Sequence, residues 1–308
     1  MGEYSIIDAH LHMISKAVID EMIARAAKEG RDIQQQMANS RGRSRIGDRI
    51  VQDIGAEDMA AWWCDELDSH EIDKAIYMSF VPDSDYFRAF IKARPERILA
   101  CCTLDPTHPS APQQLRREIA AGFVGVKLYP TNQCYRLSDP AARPFFEQVR
   151  ELGIPVVIHY GISVAPTSEL ACGNPVDLHP VARDFPDVSF IIVHFGAGYL
   201  GEVLELHYHC QNVYVDTSGT NNWRQCLPYD LSLRDVFAKC VDVMGPDHIL
   251  YGTDSGGVPS GYRDWVLADQ QDIVENRLGL TPDEQHMIMR DNAVRLYGLD
   301  AGGEDPKS

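Results

Sequence analysis

Short apolar runs alternate with longer stretches of helical periodicity through most of the chain. The strand candidates are Ser5 to His10, Lys74 to Ser79, Ile98 to Thr103, Val124 to Tyr129, Pro155 to His159, Ser189 to His194, Val213 to Asp216 and Ile249 to Tyr251. They are rich in Val and Ile, several are nearly continuous in apolar residues, and most end at a polar side chain. A continuous apolar strand is buried on both faces, the mark of a parallel sheet covered by helices. Between the runs, Ala111 to Ala121 follows Pro109 and stops at Gly122, and Ala141 to Leu152 follows Pro140 and stops at Gly153. Proline at entry and glycine at exit bracket a helix. Thr281 and Glu284 have the spacing of a capping box that opens another helix. Eight strands with helical material between them predict an α/β fold, a (β/α)8 TIM barrel, as one domain over residues 1–300 with a flexible tail at 301–308.

One region breaks the alternation. Residues 14–68 separate the first strand from the second, too long a connection for one helix and its turns. They predict an inserted helical and loop segment after strand 1, and a long loop there overhangs the face where barrel sites form. It carries Arg41, Arg43, Arg45 and Arg49 in an otherwise acidic chain. These are read either as a solvated helix end or as a lid supplying a cation to a substrate carboxylate, with Arg41 and Arg43 the candidates.

The net charge is −17, from 28 basic and 45 acidic residues. That argues against nucleic acid or an anionic membrane as partner, since both need a basic surface. No apolar run approaches a membrane span. The N-terminus lacks the basic and apolar regions of a secretory signal, and Ile6 fills the Ser/Thr slot of a myristoylation motif. The eight cysteines are scattered with no CxxC pair, so reduced thiols in a cytoplasmic protein are expected.

The chemistry lies at the strand ends. His10 and His12 are two apart at the end of the first strand, so both imidazoles can face the barrel axis. Neutral imidazole suits zinc and similar divalent metals. His159, His194 and Asp254 then recur at or just after the ends of later strands, on the face where barrel active sites form. Asp216, at the end of the seventh strand, reads either as a pocket residue or, more commonly for such a position, as a cap for the next helix. Tyr129 and Tyr160 are read as flanking the pocket or as rim aromatics.

This set resembles the amidohydrolase superfamily, and within it the branch of aminocarboxymuconate-semialdehyde decarboxylase-like metal-dependent enzymes. The resemblance covers nearly the whole chain. It rests on Asp8-Ala9-His10-Leu11-His12, Gly125-Val126-Lys127-Leu128-Tyr129-Pro130, His159, His194-Phe195-Gly196, Gly252-Thr253-Asp254 and Asn292-Ala293-Val294-Arg295-Leu296-Tyr297-Gly298-Leu299. It implies that His10, His12, His159 and Asp254 hold the metal, that Asp254 also moves protons, and that His194 acts on the substrate or its water. Lys127 matches the position where binuclear members carry a carboxylated lysine between two metals; otherwise it is an ammonium that binds substrate or pairs with an acid. One Zn2+ is the favoured reading, with Mn2+ as an alternative and a binuclear site less favoured. Barrels of that branch are often dimers, so a homodimer is carried as a candidate assembly.

Two reactions are open to such a site. A divalent cation with an open position lowers the pKa of water toward neutrality. Asp254 can take and return the proton, His194 can stabilise a developing oxyanion, and Lys127, Arg41, Arg43 and Tyr160 can bind the substrate. The first reading is hydrolysis of an amide, lactone or ester of a small carboxylated molecule. The second is metal-dependent nonoxidative decarboxylation of an aromatic or unsaturated acid, as in the better-known members of the branch. Members that decarboxylate phenolic acids often carry Glu at the first HxH position, which His10 does not match. A non-catalytic barrel is the third reading, set against a near-complete ligand set.

Overall fold

The structure is a computed structural model that describes residues 5–28, 53–163, 165, 168–256 and 261–299. Among the described residues nine parallel strands form one sheet: β1 (Ile6–His12), β2 (Ile72–Met78), β3 (Ile98–Thr103), β4 (Gly125–Leu128), β5 (Val156–Ile158), β6 (Phe190–Ile192), β7 (Val213–Asp216), β8 (Ile249–Leu250) and β9 (Ser255–Gly256). Each strand from β1 to β8 pairs with the next, and β9 pairs with the far side of β1. Only Tyr251 to Asp254 separate β8 from β9. That link is itself bonded to β1, through Ala9 N–H to the Tyr251 carbonyl at 2.9 Å and Asp254 N–H to the His10 carbonyl at 2.8 Å. The sheet therefore closes, and the barrel predicted from the apolar runs is the observed fold. All eight predicted strands are present. The sixth is shorter than expected, because the backbone turns left-handed at His194 (φ 55°) and Phe195 (φ 53°).

Helices alternate with the strands. In chain order they are α1 (Lys16–Lys28), α2 (Ala56–Ser69), α3 (Asp85–Ala93), α4 (Ala111–Ala120), α5 (Arg143–Leu152), α6 (His179–Asp184), α7 (Leu200–His209), α8 (Leu233–Met244), α9 (Asp264–Asp272), α10 (Pro282–His286) and α11 (Asn292–Tyr297). The punctuation read from sequence holds. Gly153 closes α5 in the left-handed conformation (φ 63°), and Thr281 and Glu284 form the capping box of α10. Helices α1 and α2 lie in the long connection after β1; Arg41 and Arg43, the candidates for a lid cation, fall outside the described residues. Among the described residues no helix is long and apolar enough to cross a membrane.

The apolar residues separate into two layers. Ile7, Ala9, Ile76, Met78, Cys101, Val157, Ile191 and Leu250 fill the barrel, joined by Ala293, Leu296 and Tyr297 of α11. Strand residues of the opposite parity, including Ile6, Tyr77, Val126, Val156 and Phe190, pack outward against helix residues such as Trp63, Phe87, Phe145 and Phe237. Burial on both faces is why the strands read as unbroken apolar runs, and it leaves the strand ends as the place where polar side chains gather.

Candidate metal centre

Each histidine of the barrel mouth is held by one ring nitrogen. His10 is fully buried, and its Nδ1 lies 2.7 Å from Asp216 Oδ2 and 3.0 Å from Ser218 Oγ. His12 Nδ1 lies 3.1 Å from the Met78 carbonyl at the end of β2. His194 Nδ1 lies 3.0 Å from the Ser218 carbonyl and 2.7 Å from Ser218 Oγ. His159 uses the other nitrogen, Nε2, 3.2 Å from the Ile162 carbonyl. Carbonyl and carboxylate oxygens only accept, so these partners assign the ring protons to Nδ1 of His10, His12 and His194 and to Nε2 of His159. A lone pair is left on Nε2 of the first three and on Nδ1 of His159.

Those lone pairs are where a cation would bind. His10 Nε2 is buried with no hydrogen-bond partner, an arrangement that costs free energy unless something fills it. Asp254 Oδ1 lies 3.2 Å from His12 Nε2 and 3.9 Å from His10 Nε2. Ligand atoms of His10, His12 and Asp254 all fall within 4.8 Å of one another. A ring that gives one N–H to a carboxylate or carbonyl and turns its other nitrogen inward is the usual support for a metal ligand. Asp216, His10 and His194 make a second close group, but the Asp216 oxygens are engaged. They accept from His10 Nδ1, from the His194 N–H at 2.8 Å, from the Ser218 N–H at 3.1 Å and from Ser218 Oγ. His159 lies outside the His10–His12–Asp254 group, with its ring centroid 5.1 Å from that of His194.

Electrostatics favour the ligand forms. Burial, reinforced by the Lys127 charge and opposed by Asp216, pushes His10 down to about 3. Burial likewise holds His159 well below the usual histidine range, with His194 and Lys127 adding to it. Burial lowers His194 too, against the pull of Asp254 and Asp216. For Asp254, burial acts upward, but the neighbouring rings of His12, His194 and His10 act downward and keep the carboxyl well below the usual range. Its second oxygen is met by Arg263 Nη1 at 3.2 Å. Neutral imidazoles beside an ionised carboxylate are a donor set suited to a divalent ion.

The backbone is strained at the same place. Asp254 (φ 57°) and His194 (φ 55°) are non-glycine residues in the left-handed region, a conformation that persists where surrounding bonds over-determine it. The His194 N–H is fixed by Asp216 and the Asp254 N–H by the His10 carbonyl. Gly161 faces the turn after His194, and a Cβ there would sit 2.4 Å from the carbonyl oxygens of Gly196 and Ala197. Only glycine fits that approach.

Lys127, at the end of β4, is fully buried, and its ammonium has no hydrogen-bond partner. It lies 5.3 Å from the Tyr129 ring centroid. Burial pushes it down to about 8, with Asp216, Cys101 and Asp254 opposing. Thr103 Oγ1 is also buried without a partner, whereas Tyr160, expected to flank the pocket, is fully buried in the outward-packing layer, because it has the opposite strand parity to His159.

Sequence reasoning underweighted three residues. Asp216, weighed mainly as a cap, is the anchor of His10 and His194. Asp8 accepts from the His10 N–H at 3.0 Å, the Thr253 N–H at 3.2 Å and hydroxyl at 2.6 Å, and the Tyr262 hydroxyl at 2.8 Å, tying β1 to the β8–β9 link and to the chain beyond β9. Its signal was an acid inside an apolar strand. Arg263 follows a loop, not a strand, so no periodicity pointed to it.

Known proteins resemble this chain in sequence and in fold. Residues 7–299 match the family model described as Amidohydrolase. A stretch of 160 residues is 28% identical to the dihydroorotase of Yersinia enterocolitica, covering 43% of this chain and 44% of that enzyme. The dihydroorotase of Yersinia pestis matches over 155 residues at 27% identity. The match thus spans less than half the length of these curated relatives. Among solved structures, 5-carboxyvanillate decarboxylase from Novosphingobium aromaticivorans, holding manganese and a nitrobenzoic acid, superposes with a TM-score of 0.67 at 16% identity, over 96% of this chain and 98% of that one. A probable 2-pyrone-4,6-dicarboxylic acid hydrolase from Acinetobacter baumannii gives a TM-score of 0.62 at 16% identity, over 96% and 100%. At such identities the likeness is one of fold. The family match spans nearly the whole barrel, and the chain belongs to the amidohydrolase family.

Proposed function

We propose that the protein is a hydrolase acting on an amide, lactone or ester of a small carboxylated molecule, with one divalent ion, zinc or alternatively manganese, held by His10, His12 and Asp254 and with His159 nearby as a further ligand. One observation carries the choice of reaction: the groups facing the site are in proton-accepting forms. Asp254 is held ionised, and His194 turns an unprotonated Nε2 inward because its Nδ1–H is spent on Ser218. Hydrolysis opens by taking a proton from water. Decarboxylation of an unsaturated acid opens by delivering one to carbon, which this arrangement suits less well. A barrel of this shape serves both a decarboxylase and a dicarboxylic-acid hydrolase, so the choice rests on the site.

When bound, a divalent cation acts as a Lewis acid that makes water acidic enough to lose a proton near neutral pH. Asp254 accepts that proton at a carboxylate oxygen and returns it to the leaving group. Arg263, 3.2 Å from Asp254 Oδ2, keeps the carboxylate turned so that Oδ1 faces His12. His194 Nε2 accepts a hydrogen bond from water or a substrate N–H and so orients it. Lys127 offers a cation to the substrate's polar end, and the lid arginines Arg41 and Arg43 are further candidates for its carboxylate.

The test uses protein stripped of metal and reloaded with zinc or manganese. It is offered small carboxylated lactones, amides and esters, then aromatic and dienoic acids, with acid release and carbon dioxide release both measured. Metal-dependent acid release from the first group is expected, at about one ion per chain. Carbon dioxide release without turnover of that group would replace hydrolysis by decarboxylation. Two ions per chain with bicarbonate dependence would make Lys127 a carboxylated bridge.

A further inference from the structure

Cys134 and Cys172 are 38 positions apart, yet their sulfurs lie 2.9 Å from each other, and both are free thiols. Cys134 ends the single helical turn Pro130–Gln133 that follows β4, in the left-handed conformation (φ 52°). Cys172 ends the short turn Leu170–Cys172 on the loop that follows β5. Other bonds already join these loops. The Glu169 N–H donates to the Thr131 carbonyl at 2.7 Å, Ser168 Oγ to Asn132 Oδ1 at 3.2 Å, and Thr131 Oγ1 to the His159 carbonyl at 3.4 Å. The sulfurs need to approach by under about 1 Å to bond. Cys134 is exposed, whereas Cys101, Cys102, Cys210 and Cys240 are buried.

We propose that Cys134 and Cys172 are a thiol–disulfide modification site, oxidised by a low-molecular-weight disulfide to a reversible bridge that ties the loop after β4 to the loop after β5 beside His159. The exposed Cys134 thiolate attacks one sulfur of the oxidant and expels one thiolate. The Cys172 thiolate then attacks the Cys134 sulfur of the mixed disulfide and expels the second. The protein gives up two electrons and two protons; the oxidant takes the electrons and is released as two thiols. The order follows exposure, and burial, with Cys134 beside it, also pushes the Cys172 thiol up to about 11. The bridge closes a long loop and so restricts the unfolded chain more than the folded one.

The test equilibrates the full, metal-loaded protein with oxidised glutathione, alkylates the remaining thiols, and maps the unreduced digest by mass spectrometry. The peptides of Cys134 and Cys172 are expected as one linked species, two hydrogens lighter than their sum. Oxidation should raise the melting temperature by about 5 °C, and dithiothreitol should reverse the rise. Cys172→Ser should abolish the rise and leave Cys134 as a stable glutathione adduct. Recovery of both cysteines alkylated, or of a Cys134 adduct that persists in the unaltered chain, would overturn the proposal. The mapping of the unaltered chain decides the matter even if the variant folds poorly.

Discussion

The two sides of the barrel mouth are built differently. On the side of β1, β7 and the β8–β9 link, Asp8, Asp216, His10 and His12 have their carboxylates or ring N–H groups committed to named partners. On the side of β3 and β4, Thr103 Oγ1 and the Lys127 ammonium are buried with none. The first side is preorganised: its bonds fix where the lone pairs point before a metal arrives. The second has polar groups in a low-dielectric setting at a cost to stability, which makes it the side where a substrate group or a modification of Lys127 has most to gain.

The largest effect should come from the organised side. Asp254→Asn keeps the shape but loses the proton acceptor, and kcat should fall by about 10³ or more. Near-normal turnover in that variant, measured under full metal loading, would remove Asp254 from the proton path. The open side should respond in the opposite sense. The ammonium of Lys127 titrates near 8 in the folded protein, below its ordinary 10.5, because burial penalises the charge. The folded state is therefore penalised below about pH 8, and stability rises with pH up to about 10.5 as the unfolded chain loses the same proton. Lys127→Met should add about 3 kcal/mol at pH 7 and flatten that rise, as read from urea unfolding of the metal-free protein. An unchanged or lower stability would show that the amine has a partner in solution. The smallest effect belongs to the supporting shell. Asp216→Asn should weaken metal affinity by about 10- to 100-fold in a chelator competition, and a change within twofold would mean that His10 needs no anchor.

The barrel was legible because burial on both faces leaves an apolar signature strong enough to place eight of the nine described strands, and it missed only the two-residue β9. His10, His12, His194 and Asp254 were legible because strand ends are where polar residues interrupt that signature. What sequence could not show was partnership across the chain. Asp216 and His10 are 206 positions apart, and nothing local distinguishes an acid that caps from one that anchors an imidazole. The nearness of Cys134 and Cys172 was hidden for the same reason: two scattered thiols meet only after β4 and β5 pair. The left-handed backbone at His194 was invisible too, since histidine there gives no hint of the turn that glycines Gly161 and Gly196 accommodate.

Closure of the barrel by its first and last strands has a consequence for synthesis. Asp8 and Thr253 are bonded across 245 positions, and the His10–His12–Asp254 group spans the same seam. A growing chain carries both imidazoles long before it carries Asp254, and it cannot bring the three side chains together until β9 has emerged and docked on β1. A metal held by this group would therefore load late, and it would act as a clasp on the finished ring, raising the barrier to peeling the first strand away.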